Sequence, residues 1–311
     1  MSKEMKPDYM WFNGKVVPWK DASVHIWSEV VIRGASVFEG IRAYWNEETE
    51  TYNILGLDEH IKRLFQSAKL LKFPEHMSES EIKNAIYELL YKLDYREHTL
   101  IRPTLYIAEG RYGYKAEDTK VGDYIVAFPV PHPDKMFEGI KCCVSTWRRA
   151  NELDLSPRIK AGASYSAFRL PRIEAMEQGK DDVILLNNRD TVAEASGATI
   201  FIIKDGKVHT PSVASSILES ITRKKLMEMF EREFNMEVIE REVLRTELYT
   251  ADEVFICGTL CEIQPVIEID NYVVGNGEIG YITNKLIRRF LDITDKGINV
   301  PDNWLSEVPK I

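Results

Sequence analysis

"SPRIKAGASYSAFRL", Ser156 to Leu170, decides how the rest of the chain is read. Lys160 comes after an apolar approach and is followed by Ala161, Gly162, Ala163 and Ser164, residues too small to crowd it. A lysine flanked in this way can be the attachment point of a planar cofactor aldehyde, because a bond made there needs space on both sides of the side-chain nitrogen. The alternative is a surface lysine in a glycine-containing loop, its stem solvated like most. What separates the two is the company this lysine keeps along the chain.

Downstream, "VAEASGATIF", Val192 to Phe201, sets a lone carboxylate, Glu194, between apolar residues and just before Ala-Ser-Gly. A carboxylate in such a setting needs a buried partner. One candidate is a pyridinium nitrogen, whose protonation lets a protein use pyridoxal phosphate as an electron sink. Another is an ion pair with one of the chain's arginines. Further on, Ser220-Ile221-Thr222 opens a helix, where free amides and the Thr222 hydroxyl make a natural cradle for phosphate. Most helix N-termini meet only water, so this signal gains weight only beside the others.

Composition narrows the classes. The chain has 311 residues, 44% of them hydrophobic, enough for two ordinary domains with real cores. Asp and Glu total 49 against 40 Lys and Arg, a formal net charge of -9 without long like-charge blocks, which argues against nucleic acid as a partner. The opening MSKEMKPDYMW is charged and polar, and nothing later approaches the roughly 20 apolar residues of a membrane span. A cytoplasmic protein without a membrane partner is expected. Cys142, Cys143, Cys257 and Cys261 fit no disulfide framework, and no histidine spacing completes a zinc pattern, so reduced core thiols and no metal site are expected.

Local patterns give the organisation. Asn13-Gly14 between apolar residues predicts an opening hairpin. From Asp58 to Pro74, apolar residues at Ile61, Leu64, Phe65, Ala68 and Leu71 predict a helix, and Ser78-x-x-Glu81 caps a second one. Strand-like runs follow at Leu100 to Ala108 and Asp123 to Pro129. "FPVPHPDKMFEG", Phe128 to Gly139, holds three prolines without periodicity and reads as a linker. A small N-terminal domain over 1–132, a linker over 133–140 and a larger domain over 141–311 are expected. The larger one should contain strand CCVSTW, a helix near Phe168 to Gln178, strand Val183 to Leu186, a hairpin turning at Asp205-Gly206, a helix capped by Ser220, and strand EVFICG.

Taken together, these stretches resemble the class IV, or fold type IV, pyridoxal-phosphate aminotransferases, most closely those acting on branched-chain amino acids. The resemblance rests on MWFNGKVVPWKDASVH, SVFEGIRAY from Ser36, DEHIKRLFQSAKLLKFP from Asp58, IRP from Ile101, KAGASY from Lys160, VAEASGATIFIIKDGKVHTP, ITRKKL from Ile221 and ADEVFICGTLCEIQPV from Ala251. It implies an α+β, two-domain fold like that of D-amino acid aminotransferase, with a small N-terminal α/β domain and a strand-rich, barrel-like larger domain. By position, Lys160 matches the lysine joined to the cofactor, which then shuttles a proton. Tyr165 matches the residue bonded to the cofactor's phenolic oxygen, and Glu194 the carboxylate on its pyridine nitrogen. Arg63, Ile221, Thr222 and Thr259 match the phosphate cup. The implied reaction runs by ping-pong through pyridoxamine phosphate from an amino acid donor to a 2-oxo acid, commonly 2-oxoglutarate, in a homodimer or higher oligomer.

Around the substrate the match is looser. Phe38 and Arg102 stand where such enzymes place an aromatic residue and an arginine. Arg33 replaces the tyrosine expected before Gly34, Leu100 replaces an aromatic, and the linker lacks the expected tryptophan and tyrosine. The turn GTLC adds bulk at Leu260 and Cys261 where the family has GTAA. Arg33 either binds a second carboxylate or turns outward into a salt bridge. A transaminase of D-amino acids or (R)-amines, or aminodeoxychorismate lyase, shares the scaffold and stays open beside the branched-chain reading.

Overall fold

The computed structural model describes residues 6–74, 76–109 and 119–309. Its contacts divide the chain into two compact units: residues 1–131 with 159–163 and 292–311, and residues 132–158 with 164–291.

The first unit opens on the expected hairpin, β1 (Tyr9–Phe12) and β2 (Lys15–Pro18), turning through Asn13 at φ 47° and Gly14 at φ 90°. Positive φ at both turn residues matches the right-handed twist of the strands and favours Asn-Gly. A short helix, α1 (Glu29–Arg33), leads through Gly34 to β3 (Ser36–Phe38), β4 (Ile41–Asn46) and β5 (Thr51–Leu55). Next come α2 (Leu57–Leu70), α3 (Glu79–Leu93), β6 (Thr99–Glu109) and β7 (Lys120–Pro129). The Ser78 capping box is present: Glu81 N–H donates to Ser78 Oγ at 3.3 Å, and Ser78 N–H to Glu81 Oε2 at 2.7 Å. Every strand pairing described in this sheet is antiparallel, and strand Leu305–Glu307 joins it beside β5.

The second unit carries a mixed sheet that curls as a half barrel. After β8 (Ile140–Arg148) come α4 (Glu152–Leu155), α5 (Gly162–Ser166), α6 (Arg169–Glu177), β9 (Asp182–Leu186), β10 (Val192–Ala195), β11 (Thr199–Lys204) and β12 (Lys207–Pro211). They are followed by α7 (Ile221–Glu233), β13 (Val238–Arg241), α8 (Arg245–Leu248), β14 (Glu253–Gly258), β15 (Glu262–Ile269), β16 (Tyr272–Val273) and α9 (Tyr281–Thr294). Alternation along β8 sends Cys142 and Val144 into one apolar core and Cys143 into a second one with Phe168 and Ala175 of the α6 region. All four cysteines are free, and burial pushes the Cys143 thiol up to about 11 and Cys257 to about 12. Such thiols are packing groups at neutral pH.

The expected boundary at 132/133 assigned everything beyond residue 140 to one domain. The contacts instead group 159–163 and 292–311 with the first unit. Ala161 bridges Val37, and strand Leu305–Glu307 pairs with β5, so pairing in the first sheet recruits both segments. Within the expected linker over 133–140, residues 134–138 form turns, with Met136 buried and Gly139 N–H bonded to Lys135 O at 2.9 Å. No helix among the described residues is long and apolar enough to cross a membrane.

Candidate active site

In the first unit, Lys160 is fixed by its backbone. Its N–H donates to Ser67 Oγ at 3.1 Å, and its carbonyl accepts from Phe38 N–H at 3.0 Å. Gly162 lies close against Ser36: a Cβ there would come 2.4 Å from Ser36 Oγ, so a larger residue would need that hydroxyl to move. The small residues after Lys160 therefore let this segment lie against β3, which is a packing reason added to the steric one read from sequence. The Lys160 amine lies 5.1 Å from the centre of the Phe38 ring, and the Arg102 guanidinium lies 3.9 Å from the same ring.

Behind Phe38 the next side chain is Glu39, fully buried. Its Oε1 accepts from Arg63 Nε and its Oε2 from Arg63 Nη2, both at 2.7 Å, while His60 Nδ1 lies 2.8 Å from Oε2. His60, Arg63 and Ser67 share one face of α2 by their i, i+3, i+7 spacing. Burial alone would raise the Glu39 carboxyl. The Arg63 charge and its hydrogen bonds, with His60's help, outweigh that and bring it from its usual 4.5 to about 2. Burial pushes the His60 imidazole down, against the pull of Glu39 and with that of the Arg63 and Lys160 charges.

These shifts predict an acid-sensitive contribution to stability. Glu39 holds its proton less tightly in the folded state, so between its unfolded value and about 2 the unfolded chain binds more protons. The stabilisation is complete above about pH 4.5 and is lost as pH falls towards 2, roughly 3 kcal/mol in all. In urea unfolding, the stability gap between the wild type and Glu39→Gln should narrow across that range. A gap that stays constant with pH would contradict the pairing.

In the second unit, Glu194 lies in β10, 3% exposed. Its Oε1 accepts from Arg149 Nε at 2.6 Å and its Oε2 from Leu218 N–H at 3.1 Å. The ion-pair alternative raised by the sequence is thus present, with Arg149, itself 5% exposed, as the partner. Tyr165, half-buried, packs edge-on against Phe168 and beside Gly197, where a Cβ would come 3.8 Å from its ring. Ser220 caps α7 through Arg223 N–H, so the amides of Ile221 and Thr222 remain among the first-turn donors that a helix leaves without intrahelical partners. Thr259 and Leu260 lie in the turn between β14 and β15, Leu260 exposed. That turn approaches the Gly197 loop closely enough that a Cβ on Gly258 would sit 3.4 Å from Gly197 O.

Arg33 ends α1 with a largely exposed side chain, bonded to Glu29 one turn earlier at 2.5 Å. Sequence reasoning missed Glu39, His60, Ser67 and Arg149. Glu39 carried a legible signal, because it too is a lone carboxylate among apolar residues, in SVFEG. Arg149 carried none, since nothing in TWRRA says which arginine turns inward.

The donor set suits pyridoxal phosphate. Each Glu194 oxygen accepts one of these two bonds, so lone pairs remain for a pyridinium N–H. The α7 N-terminus offers amides to a phosphate, and the glycines at 197 and 258 keep two turns in close approach. Such an arrangement, in a chain of these two sheets, defines a fold type IV pyridoxal-phosphate enzyme.

Comparison with known proteins agrees. The model of the amino-transferase class IV family matches residues 36–269. A probable branched-chain-amino-acid aminotransferase of Aquifex aeolicus is 40% identical over 99% of both chains. The crystal structure of the Escherichia coli branched-chain amino acid aminotransferase superposes with a TM-score of 0.91 at 34% identity, over 98% of this chain and 100% of that one. The holo form of the Thermobaculum terrenum branched-chain amino acid aminotransferase, which carries pyridoxal phosphate, gives 0.90 at 35% identity, over 99% and 100%. This chain belongs to the class IV aminotransferases. It is a pyridoxal-phosphate-dependent transaminase acting on an amino acid and a 2-oxo acid.

Proposed function

We propose that the enzyme moves the amino group of a branched-chain L-amino acid to a 2-oxo acid such as 2-oxoglutarate. The observation that carries this reading is the Phe38 ring, with the Lys160 amine on it at 5.1 Å and the Arg102 guanidinium at 3.9 Å. An aromatic wall beside the amine suits an aliphatic side chain, and a guanidinium suits a carboxylate. The names of the relatives support the same donor class.

Pyridoxal phosphate supplies the electron sink for charge developed at the substrate α-carbon. Around it, Lys160 Nζ takes and returns the α-proton. Glu194 would accept a hydrogen bond from the pyridine N–H, and Tyr165 would donate its hydroxyl to the phenolic oxygen. Arg63, the amides of Ile221 and Thr222, and Thr259 would hold the phosphate. Phe38, Arg102 and Leu260 border the substrate. For Arg33, the Glu29 pair supports the outward salt bridge over a role at a second carboxylate.

The two compact units support a two-domain organisation divided near residue 132. Ile26 and Trp27 are 77% and 80% exposed, with Val31 and Ile32 exposed close by in sequence, and an apolar surface of that kind supports a homodimer. Four free thiols suit the reducing conditions of a cytoplasmic location.

The function is tested by adding L-leucine or L-isoleucine, D-amino acids and (R)-amines separately to the cofactor-loaded protein while following cofactor absorbance. Conversion to the pyridoxamine form by the L-amino acids is expected. Conversion by D-amino acids or (R)-amines alone would move the assignment to those substrates, and no response to any amine would remove transamination.

A further inference from the structure

Arg63 presents a physical puzzle. A guanidinium that is to receive a phosphate is already clamped by the buried carboxylate of Glu39 through both Nε and Nη2. Buried ion pairs rarely outperform apolar packing in stability, because both charges must leave water. A clamp of this geometry does something packing would not do: a two-point bond to a planar fork fixes its plane and its direction. Glu39 is itself held, since its own N–H donates to Pro103 O at 2.9 Å and its Oε2 also meets His60 Nδ1. The neighbouring Phe38 N–H bonds the Lys160 carbonyl, and α2, which carries Arg63, bonds the Lys160 amide through Ser67. One short segment and one helix face thus set the Arg63 fork and the Lys160 backbone in a common frame.

We propose that Glu39 is a positioning residue: its carboxylate orients the Arg63 guanidinium towards the cofactor phosphate and holds that orientation in register with Lys160. The proposal rests on Arg63 being a phosphate ligand, and its test separates the two ideas. Dialysed apoprotein is titrated with pyridoxal phosphate and, separately, with pyridoxal, which keeps the aldehyde and ring but lacks the phosphate. Tryptophan fluorescence reads both affinities.

Glu39→Asp keeps the charge but shortens the reach by one methylene, so it cannot make both bonds. It should weaken pyridoxal phosphate about 10- to 100-fold, the range expected for a charge-assisted hydrogen bond, and change pyridoxal far less. Glu39→Gln should act in the same direction. Arg63→Gln should lower the ratio of the two affinities at least as much, and adding Glu39→Asp to it should lower the ratio no further. If Arg63→Gln changes the ratio but neither Glu39 variant that folds does, the positioning role is overturned. Equal loss of both ligands in the Glu39 variants would also overturn it, leaving Glu39 a purely structural group. If Arg63→Gln leaves the ratio untouched, Arg63 is not the phosphate ligand and the proposal falls with that assignment.

Discussion

Lys160→Ala should lose transamination by about 10⁴-fold or more while remaining folded. The size follows from what is removed: a covalent attachment point and the general acid-base group in one side chain, the second of which alone typically contributes roughly 10²- to 10⁴-fold. Retention of fold follows from the contacts. The bonds that seat this residue, from its N–H to Ser67 Oγ and from Phe38 N–H to its carbonyl, belong to the backbone, and alanine keeps both. The amine's contact with the Phe38 ring, which alanine removes, is worth about 1 kcal/mol. Steady-state rates with L-leucine and 2-oxoglutarate, read beside thermal unfolding, separate the two effects. An alanine variant with full activity would end the assignment of Lys160. A variant that is inactive because it is unfolded would show instead that this segment is held by its side chain.

The same residue shows what could be read in the sequence and what could not. Lys160 and Glu194 were legible because each is the wrong residue type for its surroundings, an amine among tiny residues and a carboxylate among apolar ones. Hairpins at Asn13-Gly14 and Asp205-Gly206, and the helix starts at Ser78 and Ser220, were legible because turn and cap chemistry is local. Partners are non-local, and there the sequence was silent. Arg149 reaches Glu194 across 45 residues, and Glu39 meets Arg63 across 24. The grouping of Lys160 with the first unit is likewise a matter of pairing, through Ala161 and Val37, that no local pattern encodes. Helix α9 is a different omission: Leu286, Ile287, Phe290 and Ile293 are buried at helical spacing, a pattern present in the sequence and passed over.

The second large effect belongs to Glu194, where two readings of one carboxylate make opposite predictions for a double variant. Glu194→Gln leaves the Arg149 guanidinium buried opposite a neutral amide. Its Nη1 already has no hydrogen-bond partner, so an uncompensated charge in that position should cost about 3 to 5 kcal/mol. Adding Arg149→Met removes the stranded charge, while the side-chain amide introduced by the first change keeps a carbonyl that can accept from Leu218 N–H. Removing both charges of a buried pair is often close to neutral, so stability should largely return in the double variant. If Glu194 exists only to partner Arg149, activity should return with it. If Glu194 also holds the proton on the cofactor's pyridine nitrogen, that electrostatic support is gone in both variants, and turnover should stay down by about 10²- to 10³-fold, the usual cost of one oriented electrostatic group. Urea unfolding and turnover of the two variants, each saturated with pyridoxal phosphate, decide between them: stability restored without activity is the expected result, and joint recovery would reduce Glu194 to half of an ion pair.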